Sequence, residues 1–228
     1  MLSFSSIVWS SVGKKILSGL TGLLLTVFVI GHLLGNLSLF VGPDSFNLYT
    51  YKLTQLGALL YVIEFGLVAV FLIHAVAGIS VYLKKRKARP DSYSKAGNAG
   101  GNSQKSVSSQ SMIWTGLLLF VFTWLHLKTF KFGPHYTTTI DGVTMRDLYR
   151  LVIEVFQSPT YVIGYVLIMI LLGVHLRHGF WSAFQSLGVT NPRLKPAIYS
   201  LGILISLVLA VGFLTIPVWI LFGGGHSL

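Results

Sequence analysis

Apolar residues in this chain gather into five long runs at about 16–40, 56–83, 111–130, 160–184 and 197–222, separated by polar segments. Each run is long enough to cross a bilayer, since a spanning helix needs roughly 20 apolar residues at ~1.5 Å each. The pattern predicts an all-α fold, a single domain over 1–228 that forms an integral membrane bundle of five transmembrane helices. Between the first two runs a polar turn, VGPDSFN, leads through TYKLTQ into the second span. Residues 84–110 are first basic, Lys84 to Arg89, then rich in Gly, Ser and Asn, a composition that cannot bury a core and reads as a mobile loop. Residues 131–159 form the sizeable segment on the opposite side, with a short amphipathic helix predicted from Thr144 to Phe156. Pro159 and Thr160 open the fourth span, and Pro217 interrupts the fifth.

Charge orients the bundle. Lys14 and Lys15 precede the first span, the basic cluster follows the second, and Arg193 and Lys195 separate the fourth from the fifth. By the positive-inside rule these mark the cytoplasmic side, which places the N-terminus in the cytoplasm and the C-terminus outside. The N-terminal segment lacks the early positive charge of a signal peptide and reads as retained. A net charge of +11 taken alone suggests nucleic acid, but these charges flank apolar spans on one side and argue for a membrane surface instead. With 53% hydrophobic and 10% charged residues and a mean hydropathy of +0.73, the chain leaves no room for a water-soluble catalytic core. It holds no cysteine, which excludes disulfides, iron–sulfur clusters and thioether-attached haem here and leaves histidine as the metal ligand.

Four of the seven histidines, His32, His74, His126 and His175, lie one in each of the first four spans. Counted from the cytoplasmic ends of the apolar runs, His32 and His126 lie about fifteen or sixteen residues out, or ~23 Å, and His74 and His175 about nine, or ~14 Å. Two imidazoles at one height on different helices can clamp a planar iron macrocycle from both faces, and two heights make two clamps. Haem b fits, because its iron accepts neutral imidazole on both sides and needs no cysteine. Gly31 and Gly35 beside His32, and Gly173 before His175, offer a low surface to a porphyrin, or equally to a closely packed helix.

His178, one turn from His175, is a candidate contact for a haem propionate. His135 and His226 sit in polar segments and read as solvated. Glu64, ten residues from His74 on the same span, sits near the level of the outer pair, where its carboxyl can pair with a cation or hydrogen-bond a quinone and pass protons.

The runs GHLLGN at His32, IEF with FLIHAVAG at Glu64 and His74, TWLH at His126, and SPTYVIGY with GVHLRHGFWSAFQSLGVTNPR at His175 resemble the dihaem cytochrome b membrane anchor of succinate dehydrogenases and quinol:fumarate reductases, in its single-polypeptide class. The resemblance covers about Lys14 to Phe222. It implies a bacterial inner-membrane protein with a flavoprotein subunit and an iron–sulfur subunit docked on the cytoplasmic face. It further implies an inner haem b on His74 and His175, an outer haem b on His32 and His126, and a quinone, commonly menaquinone, near the outer one. Dicarboxylate chemistry would belong to the partners, and a dimer of the complex is compatible with the class. One departure stands out: some members carry a glutamate two residues before the fourth-span ligand as a proton carrier, and this chain has Gly173 there.

Two other readings compete. A stand-alone transmembrane haem b reductase of the cytochrome b561 kind would use the same ligands without soluble partners. A transporter with a proton or ion path lined by His and Glu64 is less favoured, since no internal repeat or broken helix pair is apparent.

Overall fold

The computed structural model describes residues 8–88, 107–189 and 191–223. Its elements in chain order are α1 Ser11–Asn36, α2 Pro43–Thr54, α3 Ala58–Lys87, α4 Val107–His126, the strands β1 Thr137–Ile140 and β2 Val143–Arg146, α5 Leu148–Phe156, α6 Pro159–Ser186 and α7 Lys195–Leu221. A 3₁₀ turn, Leu37–Phe40, extends α1, and a π turn, Leu127–Lys131, extends α4. Five segments are long and apolar enough to cross a membrane: Ser11–Phe40, Ala58–Lys87, Ser108–Lys131, Pro159–Ser186 and Lys195–Leu221. The all-α class therefore holds, with one antiparallel hairpin added.

Helix α6 is the hub of the bundle and packs along α7, α1 and α4; α1 also packs along α3. Helices α3 and α4 meet over a shorter stretch, bridged by Phe71 stacked on Phe120 at 5.5 Å and by the ion pair of Glu64 with Lys131. The outward faces are apolar: Phe65 is 72% exposed, Val27 68% and Trp124 67%. Water solvates such faces poorly, and hydrocarbon suits them.

The densest packing lies at one end, the capped end, where α2, the hairpin and α5 close over the bundle. Leu39, Phe46, Tyr149, Val152, Ile153, Phe156, Val162, Ile216 and Ile220 form one buried cluster there. In α5 Tyr149, Leu151, Val152, Ile153 and Phe156 turn inward, while Arg150 bonds Glu154 one turn away at 2.9 Å on the exposed face. Arg150 and then Tyr136 hold the Glu154 carboxyl below the usual carboxylate range, so this tie of hairpin to helix stays charged as pH falls through that range. At the opposite, basic end Lys14 and Lys15 of α1 line one groove with Lys84 and Lys85 of α3, and Lys84 donates to Ser11 at 2.5 Å.

Several boundaries differ from those predicted. The polar turn after the first span is helix α2, with Gly42 (φ 130°) turning into it, Pro43 in its first turn, Asp44 near its N-terminus and Lys52 near its C-terminus. Those residues complement a helix dipole, a signal that hydropathy alone conceals. Thr144, Met145 and Arg146 belong to β2 and not to the amphipathic helix, which begins after Asp147 caps it by accepting from the Arg150 N–H at 3.0 Å. Helix α3 continues to Lys87 through most of the basic cluster, because lysine is a good helix former and complements the C-terminal dipole. Helix α4 begins at Val107, so the Gly- and Ser-rich segment before it lies outside the described residues.

Asn47, 1% exposed, joins the cap together: its amide donates to Asp147 at 2.8 Å and its carbonyl oxygen accepts from the Tyr149 N–H at 3.0 Å. Replacing it with alanine leaves a buried donor and acceptor unpaired, and we expect Asn47→Ala to cost about 1–3 kcal/mol. Thermal unfolding of the detergent-solubilised chain measures this, and an unchanged midpoint would refute it.

Candidate functional site

The four span histidines meet as two pairs. His74 of α3 faces His175 of α6 with ring centroids 6.3 Å apart and planes at 71°. His32 of α1 faces His126 of α4 at 5.8 Å and 87°. All four are half-buried.

The pair nearer the basic end stands on threonine and glycine. His74 Nδ1 lies 3.1 Å from the Ser18 carbonyl oxygen and 3.3 Å from Thr21 Oγ1. His175 Nδ1 lies 3.0 Å from Thr115 Oγ1. The next residue in each helix is Gly22 or Gly116, and a Cβ there would come within 3.0 Å of His74 Cε1 or 3.4 Å of His175 Cε1. The rings thus lie directly against the helix surface.

Aromatic rings surround the pair nearer the capped end. Phe28 stacks on His32 at 5.5 Å and Phe213 tilts against it at 5.7 Å. Phe122 and Phe130 lie 5.6 and 5.2 Å from His126, whose Nδ1 is 3.2 Å from the Tyr165 hydroxyl. Asn36 donates to the His32 carbonyl at 2.8 Å and only grazes its ring at 3.5 Å.

Heights follow from these contacts. Thr21 touches His74 and His32 lies eleven residues further along α1; Thr115 touches His175 and His126 lies eleven residues further along α4. At ~1.5 Å per residue the two pairs stand ~16 Å apart along the helices, about half the hydrocarbon thickness of a bilayer. Counting from the ends of the apolar runs gives a smaller separation, because Thr21, level with His74, is about five residues from the start of its run while His74 is about nine from the end of its own, so the run ends do not share one height.

The remaining candidates are placed less centrally. Glu64 is ion-paired with Lys131, each partly exposed. His178 is half-buried one turn beyond His175 with no hydrogen bond to another described residue. His135 is exposed before β1, and His226 lies outside the described residues. Gly31 faces open space, whereas Gly35 admits the Tyr49 hydroxyl end. Gly173 turns to α7: a Cβ there would lie 3.0 Å from Ala210 Cβ and 3.5 Å from the Ser206 carbonyl oxygen. A glutamate at this position has no room.

A fit to a metal macrocycle can be tested on the donors alone. A metal–imidazole bond of about 2 Å puts each ring centroid about 3 Å from the metal, so two opposed rings stand about 6 Å apart. Both pairs have that spacing. In His74, His175 and His126 the contact falls on Nδ1, which leaves Nε2 as the free ligating atom, the arrangement that outer-shell partners impose on metal-bound histidine. Among the described residues no group of three or more His, Cys, Asp or Glu could hold a bare ion. Each pair offers two imidazoles, with Nε2 bare in His74, His175 and His126 and grazed by the Asn36 amide in His32, a donor set that would suit a metal bringing donors of its own. Comparison with protein-family models, with curated proteins and with solved structures finds no match to this chain.

Residues that hydropathy and histidine counting overlook are Thr21, Thr115, Tyr165 and Lys131. The threonines had a visible signal. Thr21 to His32 reads TGLLLTVFVIGH and Thr115 to His126 reads TGLLLFVFTWLH, identical at eight of twelve positions. The chain therefore does carry an internal repeat, hidden by the uniform hydropathy of its spans.

From the packing of Gly173 we expect Gly173→Glu to force a carboxyl against α7 at a cost of several kcal/mol, by overpacking and desolvation together. The measurement is the yield of monodisperse protein after membrane extraction; a normal yield and unfolding midpoint would show that the helices leave space for it.

Proposed function

We propose that this protein is the membrane anchor and dihaem cytochrome b of a succinate:quinone oxidoreductase, with two haem b groups held by His74 with His175 and by His32 with His126. Haem b supplies a one-electron carrier whose iron cycles between ferric and ferrous states without leaving its ligands. The observation that carries the reading is the pair of facing imidazole couples, at 6.3 and 5.8 Å, drawn from four different helices. The residues' part is to ligate from both faces, to keep water away with apolar helices, and to hold the two centres at separate depths so that electrons cross in short steps.

The polarity of the chain supports an orientation. Among the described residues nine Lys and Arg and no Asp or Glu belong to the basic end, and five of each belong to the capped end. The net positive charge of the described residues thus lies on one side, which by the positive-inside rule is the cytoplasm. There the iron–sulfur subunit docks, carrying the flavoprotein subunit with it, in the inner membrane of a bacterium. The quinone, menaquinone on the resemblance, reacts near the capped end, where Glu64 and Lys131 bring a carboxylate and an ammonium together at the margin of α3 and α4. A carboxylate so placed can deliver and collect the protons that quinone chemistry requires. His178, one turn beyond His175, would contact a propionate of the inner group. The neutral, densely packed cap seals the outer end.

Expression with adequate haem should yield two low-spin haems b per chain. His74→Leu and His175→Leu should each reduce the count to one and leave the same spectral component behind. A chain that takes up no haem, or a count unmoved by these substitutions, would sink the reading. Co-purification with a flavoprotein and an iron–sulfur protein distinguishes the anchor from a stand-alone reductase.

Because exposed ion pairs contribute at most about 1 kcal/mol, Glu64→Gln should leave stability and haem content nearly unchanged. If the carboxyl moves protons, succinate-dependent quinone reduction should fall on the order of a hundredfold. An unaltered rate would assign Glu64 to packing alone.

A further inference from the structure

We propose that Thr21 and Thr115 are positioning residues that fix His74 and His175 as Nδ1–H imidazoles with Nε2 bare, and that Thr115 tunes how strongly its histidine donates electrons to a bound metal. The inference rests on the dihaem reading, and it is argued from the direction of each hydrogen bond.

A hydroxyl has one proton and two lone pairs. Thr21 Oγ1 donates its proton back to its own helix, to the Leu17 carbonyl at 2.7 Å, and Thr115 Oγ1 donates to the Ser111 carbonyl at 3.1 Å. What each oxygen then turns toward the neighbouring helix is a lone pair, so the ring nitrogen it meets must be the donor. For His74 a second partner requires the same thing: the Ser18 carbonyl at 3.1 Å can only accept. A neutral imidazole has one N–H, so its Nε2 is left with a lone pair directed away from the threonine. That is the form a metal needs.

Back-bonding by itself is common for threonine in apolar helices. Thr26, Thr123 and Thr215 each donate to the carbonyl four residues earlier, at 2.8 Å, and have no histidine among their hydrogen-bond partners. Thr21 and Thr115 differ in facing an imidazole, at 5% and 3% exposure. They are also the first residues of the two copies of the repeat, whose last residues are His32 and His126. Each copy thus supplies the ligand of one centre and, eleven residues earlier, the support for a ligand of the other. The glycine that follows admits the ring to the helix surface in both.

The two supports are not equal. His74 has both Ser18 and Thr21 as acceptors, whereas the acceptor for His175 Nδ1–H among the described residues is Thr115. An accepted Nδ1–H bond raises the basicity of the ligand and favours the oxidised metal; its loss should raise the reduction potential.

The test is a redox titration of the visible spectrum of the purified full-length chain and its variants. Thr115→Val should keep both haems and raise the midpoint potential of one of the two components, the one lost in His175→Leu. Thr115→Ser, which retains the acceptor, should restore the wild-type value, and Thr21→Val should give a smaller rise because Ser18 remains. Loss of that single haem in Thr115→Val with both retained in Thr115→Ser supports the same role. Unmoved potentials in Thr115→Val, or a shift that serine does not reverse, would overturn this proposal while leaving the dihaem assignment standing. A wild-type chain without haem overturns both.

Discussion

A histidine presents one nitrogen in a defined direction only when its other nitrogen is held. That constraint governs the middle of this bundle. His74, His175 and His126 are each restrained through Nδ1 by a residue on a neighbouring helix, and His32 is restrained by aromatic faces instead. Rings restrained in this way cannot wander to other partners in an environment where every polar group must find one. The small residues at Gly22 and Gly116 follow from the same constraint, since a ring can be held against a helix only where no side chain intervenes.

Ring orientation is useless without ring height, and height is set at the capped end. The large, fully buried side chains are concentrated there, with Leu39 and Ile153 at 0% exposure and Ile220 at 1%, while buried residues at mid-bundle include Thr21, Thr115, Ser206 and Ala77. The cap joins the ends of α1, α6 and α7 in one cluster. It reaches α4 by a different route. Arg146, at the end of β2, donates to the carbonyls of Phe130 at 2.9 Å and Pro134 at 3.1 Å, groups that a helix terminus leaves unpaired. These carbonyls follow His126 by four and eight residues, so the guanidinium fixes how deep that histidine sits. Strong packing at one end thereby leaves the middle open enough for four half-buried imidazoles.

The five apolar helices were legible in the sequence because length and hydropathy are sufficient to define them, and so was the sorting of four histidines into two pairs. What escaped is instructive in physical terms. Helix α2 is polar on average, so a reading tuned to apolar runs saw a turn, although Pro43, Asp44 and Lys52 spell its ends. The strands β1 and β2 are four residues each, too short for alternation to register, and the turn between them depends on Asp141 and Gly142, both at positive φ. The supports of the histidines escaped because threonine and glycine look like ordinary helix-packing residues until the partner helix is in place. The Glu64–Lys131 pair joins residues 67 positions apart, and nothing local announces it.

The repeat explains both the symmetry of the site and its limits. Helices α1 and α3 form one hairpin-like unit and α4 and α6 another, each carrying the same Thr-Gly step in its first helix and each giving one histidine to each pair. Two like units facing one another produce paired histidines at matched heights without any further specification. The asymmetry enters with α7, which packs along α6 and has no counterpart on α3 among the described residues. Two residues before each basic-end histidine, the first unit has Leu72, 45% exposed, and the second has Gly173, pressed against Ala210. Three residues after it, the first unit has the fully buried Ala77 and the second has His178. The places where the units diverge are thus those where their neighbours differ, and the glycine at 173 is accounted for by the approach of the last helix.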